Sequence, residues 1–407
     1  MAESAEILVV GAGVAGLATA LQLGRRGREV LVLDRAPAPR DRVCGEGLMP
    51  AGLAALQGLG LPAGEIAGKP FGGLVFRTQK RAHRLAFSPG VSGRGMRRTE
   101  LLAALERAVA DCPSVRLRRE EILGLRWEGG RITGVRGRGG DYNAGGVVAA
   151  DGANGRLARA AGIRLVRRGY RMALRRHYRL PAGMAGEWVR VGFFAPYDIY
   201  LTPVGSETLL ATTMTTRAGY RKIVGDYDGF LQRSPFAEIF ADAQPASAQL
   251  GWYHPLQFAA HHHGGGMAVV GDAGGGLDPA LGLGMSLALL TADLAARALA
   301  ENAGLPGPPP AAGGGLGESA AGWYDAQCRK LFQHYRLFDR IFRLAIGSAR
   351  GAELMLAGMN LWPAAAAAVF RIVAEGQAWS SLLRGGAARA DSNAAGGPRP
   401  GMTAGRR

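Results

Sequence analysis

Cysteine is scarce. Cys44, Cys112 and Cys328 are the only three in 407 residues. They are too few and too scattered for a disulfide framework or a zinc site, so no metal is expected and a reducing cytoplasm is the natural setting. Lysine is almost as rare, with Lys69, Lys80, Lys222 and Lys330 alone, so the formal charge of +17 is carried by arginine. The arginines are dispersed along a chain that also over-uses alanine and glycine. No basic helix and no nucleic-acid motif stands out, which argues against a nucleic-acid partner. Gly-X-Ser-X-Gly and paired-carboxylate signatures are missing, which leaves hydrolase chemistry without support. A long uninterrupted apolar run is also lacking. Leu354–Ala374 is diluted by alanine and broken by Asn360 and Pro363, so no transmembrane segment is expected. A helix lying on a membrane surface stays open. The first strand-like run begins within seven residues, which leaves no room for a signal peptide.

Glycine, by contrast, is abundant at 64 residues. Three glycine turns each follow an apolar run. Ile7–Val10 leads into Gly11-Ala12-Gly13-Val14-Ala15-Gly16. Val147-Val148 leads into Ala150-Asp151-Gly152, and Met267–Val270 into Gly271-Asp272. The third continues through Asp278-Pro279 to Gly282-Leu283-Gly284-Met285-Ser286. In the first, Gly11 permits a tight turn, Gly13 lets the backbone approach a pyrophosphate, and Gly16 lets a helix pack on its strand. The helix start offers free N–H groups to the anion. Asp34 ends the next strand, where a carboxylate can accept from ribose hydroxyls. Three such turns in this order point to FAD, held along its whole length.

The fold class expected is α/β, a Rossmann-type, glutathione-reductase-like FAD-binding domain with an antiparallel β-sheet substrate domain and a C-terminal helical segment. The nucleotide domain is discontinuous, over 1–69, 91–164 and 259–302. Residues 70–90 and 165–258 read as the substrate sheet, on strand-like runs such as 171–180, 187–194, 199–204 and 208–215. A Pro/Gly linker is expected over 303–318, helices over 319–384, and a disordered tail over 385–407.

The three turns, together with Arg40-Asp-Arg-Val-Cys-Gly-Glu-Gly-Leu-Met-Pro50, resemble the flavoprotein family that unites class A aromatic monooxygenases, with the p-hydroxybenzoate hydroxylase fold, flavin halogenases and geranylgeranyl reductases. The resemblance covers about residues 5–300. It implies a loop beside the flavin, with Arg42, Cys44 and Gly45 as FAD contacts, and Arg35 and Ile122 on the same groove. Arg98, opening Arg98-Thr99-Glu100-Leu101, matches the arginine that reaches the FAD diphosphate. Asp151-Gly152 resembles a fingerprint linked to both FAD and NADPH. Gly155 and Ala158 depart from it, so NADPH or NADH as electron donor is a weaker expectation than FAD. Asp272 is expected on the ribityl chain. Pro279, Gly282, Gly284, Met285 and Ser286 should place a helix start at the flavin pyrimidine ring, where reduction leaves negative charge. Ala15 lies in the first turn.

Some side chains invite sharper readings. Cys44 has no histidine base suggested nearby and reads as a small residue packed on the cofactor. His261-His262-His263 reads as a polar turn. His177, Tyr200 and Thr202 on the substrate strands are candidates to orient an apolar or aromatic small-molecule substrate. Alternation lets only one of His177 and Tyr178 point inward. The Tyr200-Leu201-Thr202-Pro203-Val204 phrase is similar to monooxygenase members, which implies NAD(P)H-dependent hydroxylation through a C4a-hydroperoxyflavin. The Cys-Gly-Glu-Gly loop and apolar C-terminal helices imply the alternative, hydride transfer to an isoprenoid alkene. Flavin-dependent halogenation stands third.

Overall fold

The computed structural model describes residues 3–36, 40–300 and 316–377. Residues 303–315 of the expected linker and all of the expected 385–407 tail lie outside the described residues.

The first sheet is a parallel stack in the spatial order Val115–Arg119, Val30–Asp34, Glu3–Val10, Asp141–Ala149, Met267–Val269. Its central strands are buried on both faces, which is why they read as continuous apolar runs rather than alternating ones. Ile7 and Val9 point to one core, shared with the helices Val14–Arg25 and Gly284–Ala300. Leu8 and Val10 point to the other, packed with Leu125, Ile132 and Val135. These last come from an antiparallel extension, Ile122–Glu128 and Arg131–Gly137, built onto the early part of the Asp141–Ala149 strand.

The second sheet runs Gln244–Pro245, Leu165–Arg179, Thr208–Thr215, Tyr197–Pro203, Val189–Phe194, Gly73–Arg77, Ala82–Ala86. Leu250–Ala259 also pairs with the long Leu165–Arg179 strand. The sheet is not purely antiparallel, as the sequence suggested. Gly73–Arg77 lies parallel to Val189–Phe194. Those strands are far apart in sequence and no hairpin turn joins them, so nothing forces them to run in opposite directions.

One face of this sheet is covered by Arg217–Ile223, Tyr227–Gln232 and Ala237–Phe240, short helices absent from the sequence reading. Their start signals were present. The Thr216 hydroxyl accepts from Gly219 N–H and the Asp226 carboxylate from Gly229 N–H, as N-caps do. The other face looks onto the nucleotide domain.

The chain closes with helices Glu318–Ile346, Ala349–Leu361 and Pro363–Glu375. The last two meet at Trp362 with a 108° bend. Among the described residues no single helix is long and apolar enough to cross a membrane.

Candidate active site

All three glycine turns open into one trough of about 740 Å³ between the two sheets. Gly11 takes φ +112°, and its backbone passes so close to the second turn that a methyl there would sit 2.3 Å from the Ala150 carbonyl oxygen. Gly16 lies against the Gly11 carbonyl, where a methyl would fall 1.8 Å from the oxygen. The glycines therefore bring strand and helix starts together before any ligand is considered.

The Val14–Arg25 helix begins at Gly13 with no side-chain cap and no acid in its first turn. Its first N–H groups, which lack intrahelical acceptors, face the trough. Arg98 sits beside them, its terminal nitrogen 3.8 Å from where a Gly13 methyl would be. The Arg98 Nε is buried with no partner. Asp34 closes this end. Its Oδ2 accepts from Ala12 N–H at 2.7 Å, and it also pairs with Arg40. At the far end Gly284 begins a helix without an acid in its first turn, and a methyl on Gly284 would meet open space.

The trough is lined by Gly11, Gly13, Ala15, Asp34, Arg35, Arg42, Cys44, Gly45, Arg98, Ile122, Asp151, Gly152, Asp272, Pro279, Gly282, Gly284 and Met285, with Tyr200 and Thr202 on the sheet side. Gly16 and Ser286 lie behind its wall rather than on it. Gly16 serves packing. The buried Ser286 hydroxyl has no partner and faces Gly52 of the Pro50–Gly58 helix.

His177 is not on the wall either. It is buried, its Nε2 within hydrogen-bond distance of the Glu46 carboxyl at 2.7 Å. Tyr178, on the opposite face, is buried too, and donates to Asp228 against the short helices. The alternation argument assumed one open face, but both faces of this strand are covered. Thr202 is engaged as well, donating to the Gly45 carbonyl at 2.8 Å.

Other expected residues carry more specific roles in the structure. The Asp151 carboxylate accepts from Arg156 and Leu157 N–H, capping a short helix. Gly155 is required there, because a methyl would strike that carboxylate at 2.2 Å. Arg42 stacks over Trp252 at 5.5 Å. Burial pushes the Cys44 thiol up from its ordinary range, which keeps it protonated and a poor nucleophile. His262 is not an exposed turn residue. It is buried, stacked on Phe332 and paired with Asp325 of the Glu318–Ile346 helix. No group able to hold a metal ion occurs among the described residues.

Tyr200 belongs to a cluster whose charged members the sequence does not bring together. Arg171 pairs with Asp198 and lies 3.9 Å from Asp278, all beside Tyr200. The Tyr200 hydroxyl and Asp278 Oδ2 are buried without hydrogen-bond partners, and both residues line the trough. Burial pushes the Asp198 carboxyl up to about 6 despite the arginine. It also holds the Tyr200 hydroxyl well above its usual value, so it stays a neutral donor. Asp278 was visible in its Asp-Pro-Ala-Leu-Gly phrase. Arg171 and Asp198 carry no local signal.

Residues 6–45 match the model of a family described as FAD dependent oxidoreductase. A solved flavin-dependent brominase, Bmp2, superposes with a TM-score of 0.79 over 96% of this chain and 100% of its own, at 17% identity. The chain has the FAD-dependent oxidoreductase fold. Squalene epoxidase 1 of Arabidopsis thaliana is 39% identical over 140 residues, 32% of this chain and 26% of that protein. A menaquinone reductase of Mycobacterium tuberculosis is 54% identical over 59 residues, 14% of each chain. The matches thus span about a quarter of one curated relative and a seventh of the other. The fold is shared with solved structures of a probable FAD-dependent monooxygenase, an FAD-dependent halogenase and a geranylgeranyl bacteriochlorophyll reductase-like protein, each 22% identical or less.

FAD fits the trough by its donor set: an uncapped helix start, the half-buried Arg98 whose Nε has no partner, and the Asp34 carboxylate at one end. At the other end are Gly284 and Met285 at a helix start, with open space at Gly284.

Proposed function

We propose that the protein is an FAD-dependent monooxygenase, drawing electrons from NADH or NADPH, that hydroxylates an apolar or aromatic small molecule carrying one polar group. Bound FAD supplies electron storage and oxygen activation. The chain supplies grip, orientation and dryness. Gly11, Gly13, Ala15 and Arg98 would hold the pyrophosphate, Asp34 the ribose, Asp272 the ribityl chain, and the amides of Gly284 and Met285 the charge that builds on the pyrimidine side.

The observation that carries the oxygenation reading is the wall facing this end. It is largely apolar, with Leu74, Ala173, Val189, Val191 and Met214; the Thr202 and Thr212 hydroxyls there are spent on the Gly45 and Cys44 carbonyls, while the Tyr200 hydroxyl and Asp278 Oδ2 have no hydrogen-bond partner. An apolar wall excludes water, which would otherwise divert activated oxygen to peroxide. One polar focus turns a substrate without binding it uniformly. Tyr200 donates its proton in a hydrogen bond to the substrate oxygen, while Arg171 keeps Asp278 and Asp198 in place. His177 and Thr202 hold the Cys44–Gly47 loop against the sheet and act as positioning residues.

The test is the purified protein's colour and product. A flavin absorbance spectrum is expected, and Asp272→Ala should lose most of it. A product heavier by one oxygen atom, formed only in air with NAD(P)H, supports the reading. A product heavier by hydrogen alone, formed without oxygen, overturns it in favour of alkene reduction.

A further inference from the structure

The five most exposed large apolar side chains described are Leu344 (74%), Leu354 (73%), Leu361 (68%), Trp362 (65%) and Leu337 (63%). They lie on the helices Glu318–Ile346 and Ala349–Leu361 and at the corner that follows. Leu337, Ile341 and Leu344 follow one another at helical spacing on the outer face of Glu318–Ile346. Leu354 and Leu361 do the same on Ala349–Leu361, and Trp362 stands at the 108° corner. Scattered exposed leucines need no explanation, but a concentration of this kind on consecutive elements does.

A second cavity, of about 280 Å³, lies under these helices. Phe76, Leu283, Phe338, Phe342, Met359 and Val369 are among its walls, which are almost wholly apolar. Trp362 lines it at the exposed side. Met49, Leu74, Ala280 and Leu281 line both it and the trough. These four side chains form a common apolar partition between the cavity under the helices and the reaction chamber.

The charges around this face are one-sided. Between Leu337 and Gln377 the acids are Asp339, Glu353 and Glu375. Each is engaged: Asp339 by Arg343 and Asp278 N–H, Glu353 by Arg81, Glu375 by Ser88. Arg340 and Arg350 are exposed. The sequence after Gln377 adds five arginines against one aspartate. An apolar face rimmed by cations matches an anionic bilayer, where apolar burial and charge attraction add.

We propose that the C-terminal helices dock on an anionic lipid bilayer, and that the cavity behind Trp362 receives the hydrocarbon chain of a membrane-dissolved substrate whose polar end reaches Tyr200. The proposal rests on the trough being the reaction chamber. It narrows the substrate class to single-chain amphiphiles or polar-headed isoprenoid-like lipids, and it gives the cavity and the exposed face one purpose.

The experiment uses the full-length flavoprotein with vesicles of phosphatidylcholine, with and without phosphatidylglycerol. Cosedimentation with the phosphatidylglycerol vesicles is expected, weakened by salt. The double variant Leu361→Asp, Trp362→Asp should lose about tenfold or more of that binding with an unchanged melting temperature. Wild-type protein that stays in the supernatant at low salt overturns the docking. So does a double variant that only converts a dimer to a monomer in light scattering, since the occupant would then be a second copy. The cavity is tested with a pyrene-tailed long-chain alcohol as probe. Ala366→Trp, which fills the cavity, should abolish the probe's fluorescence gain while vesicle binding and flavin content stay as they were. Undiminished probe binding overturns the cavity's role. Flavin absorbance is read in the same samples, and vesicle binding by a flavin-free protein supports the docking while counting against the cofactor reading alone.

Discussion

The two ends of the trough are built in different materials. The nucleotide end is backbone: Gly11 and Gly16 press strand, turn and helix together, and the ligand groups on offer are largely amides. The substrate end is side chain: Tyr200, Asp278, Asp198 and Arg171 converge from three separate stretches of sequence. Close-packed backbone positions such as Gly11 and Gly16 have no room for an added atom, whereas side-chain sites can lose a group and stay folded. That contrast is open to measurement.

The largest effect should come from the backbone end. Gly16→Ala puts a methyl 1.8 Å from a carbonyl oxygen that cannot move without breaking the turn. A loss of roughly 3 kcal/mol or more is expected, with flavin retention abolished. Thermal melts and flavin absorbance check both. A variant that melts normally and stays yellow would erase the distinction drawn here.

Tyr200→Phe should behave in the opposite way. The hydroxyl is buried and unpartnered, so removing it leaves stability equal or raises it by about 1 kcal/mol. Turnover should fall about tenfold through lost orientation, with KM raised. Steady-state kinetics beside a denaturation curve would show a more stable, less active protein. A fall in stability would mean the hydroxyl serves the fold instead.

The smallest effect concerns pH. Burial holds the Asp198 carboxyl in the folded protein up at about 6, against an ordinary 3.8. Ionisation therefore costs the folded state more than the unfolded chain. The stability linked to this proton is complete below 3.8 and drains away as pH rises to about 6. Asp198→Asn removes that drain, so the melting temperature of the variant should gain on the parent between about pH 4 and pH 6 and then run level. A constant gap across the range would place the carboxyl outside the buried cluster.

The same division explains what could be read from the chain. A phosphate-binding turn must be glycine at fixed offsets from a strand, so residues 5–35 and 267–286 announced themselves. So did the long amphipathic helices. The substrate end left weaker marks. His177 looked available because alternation along a strand assumes one face open to the chamber, and the short helices over 217–240 had already closed the other face while Glu46 claimed the histidine. Arg171 and Asp198 are ordinary residues in ordinary strands until the sheet folds them together. The parallel placement of Gly73–Arg77 was equally hidden, because it follows from where the chain enters and not from its own residues.

The segment from Arg40 to Gly47 belongs to both halves. Arg40 is tied to Asp34 on the nucleotide side. On the sheet side, Asp41 is tied to Arg175, Gly45 to Thr202, and Glu46, held at φ +54°, to His177. This strap is riveted at one end to the cofactor floor and at several points to the ceiling above the substrate. The two floors of the building cannot be exchanged separately: a sheet grafted from a cousin would arrive without its rivets, and the strap would have to travel with it.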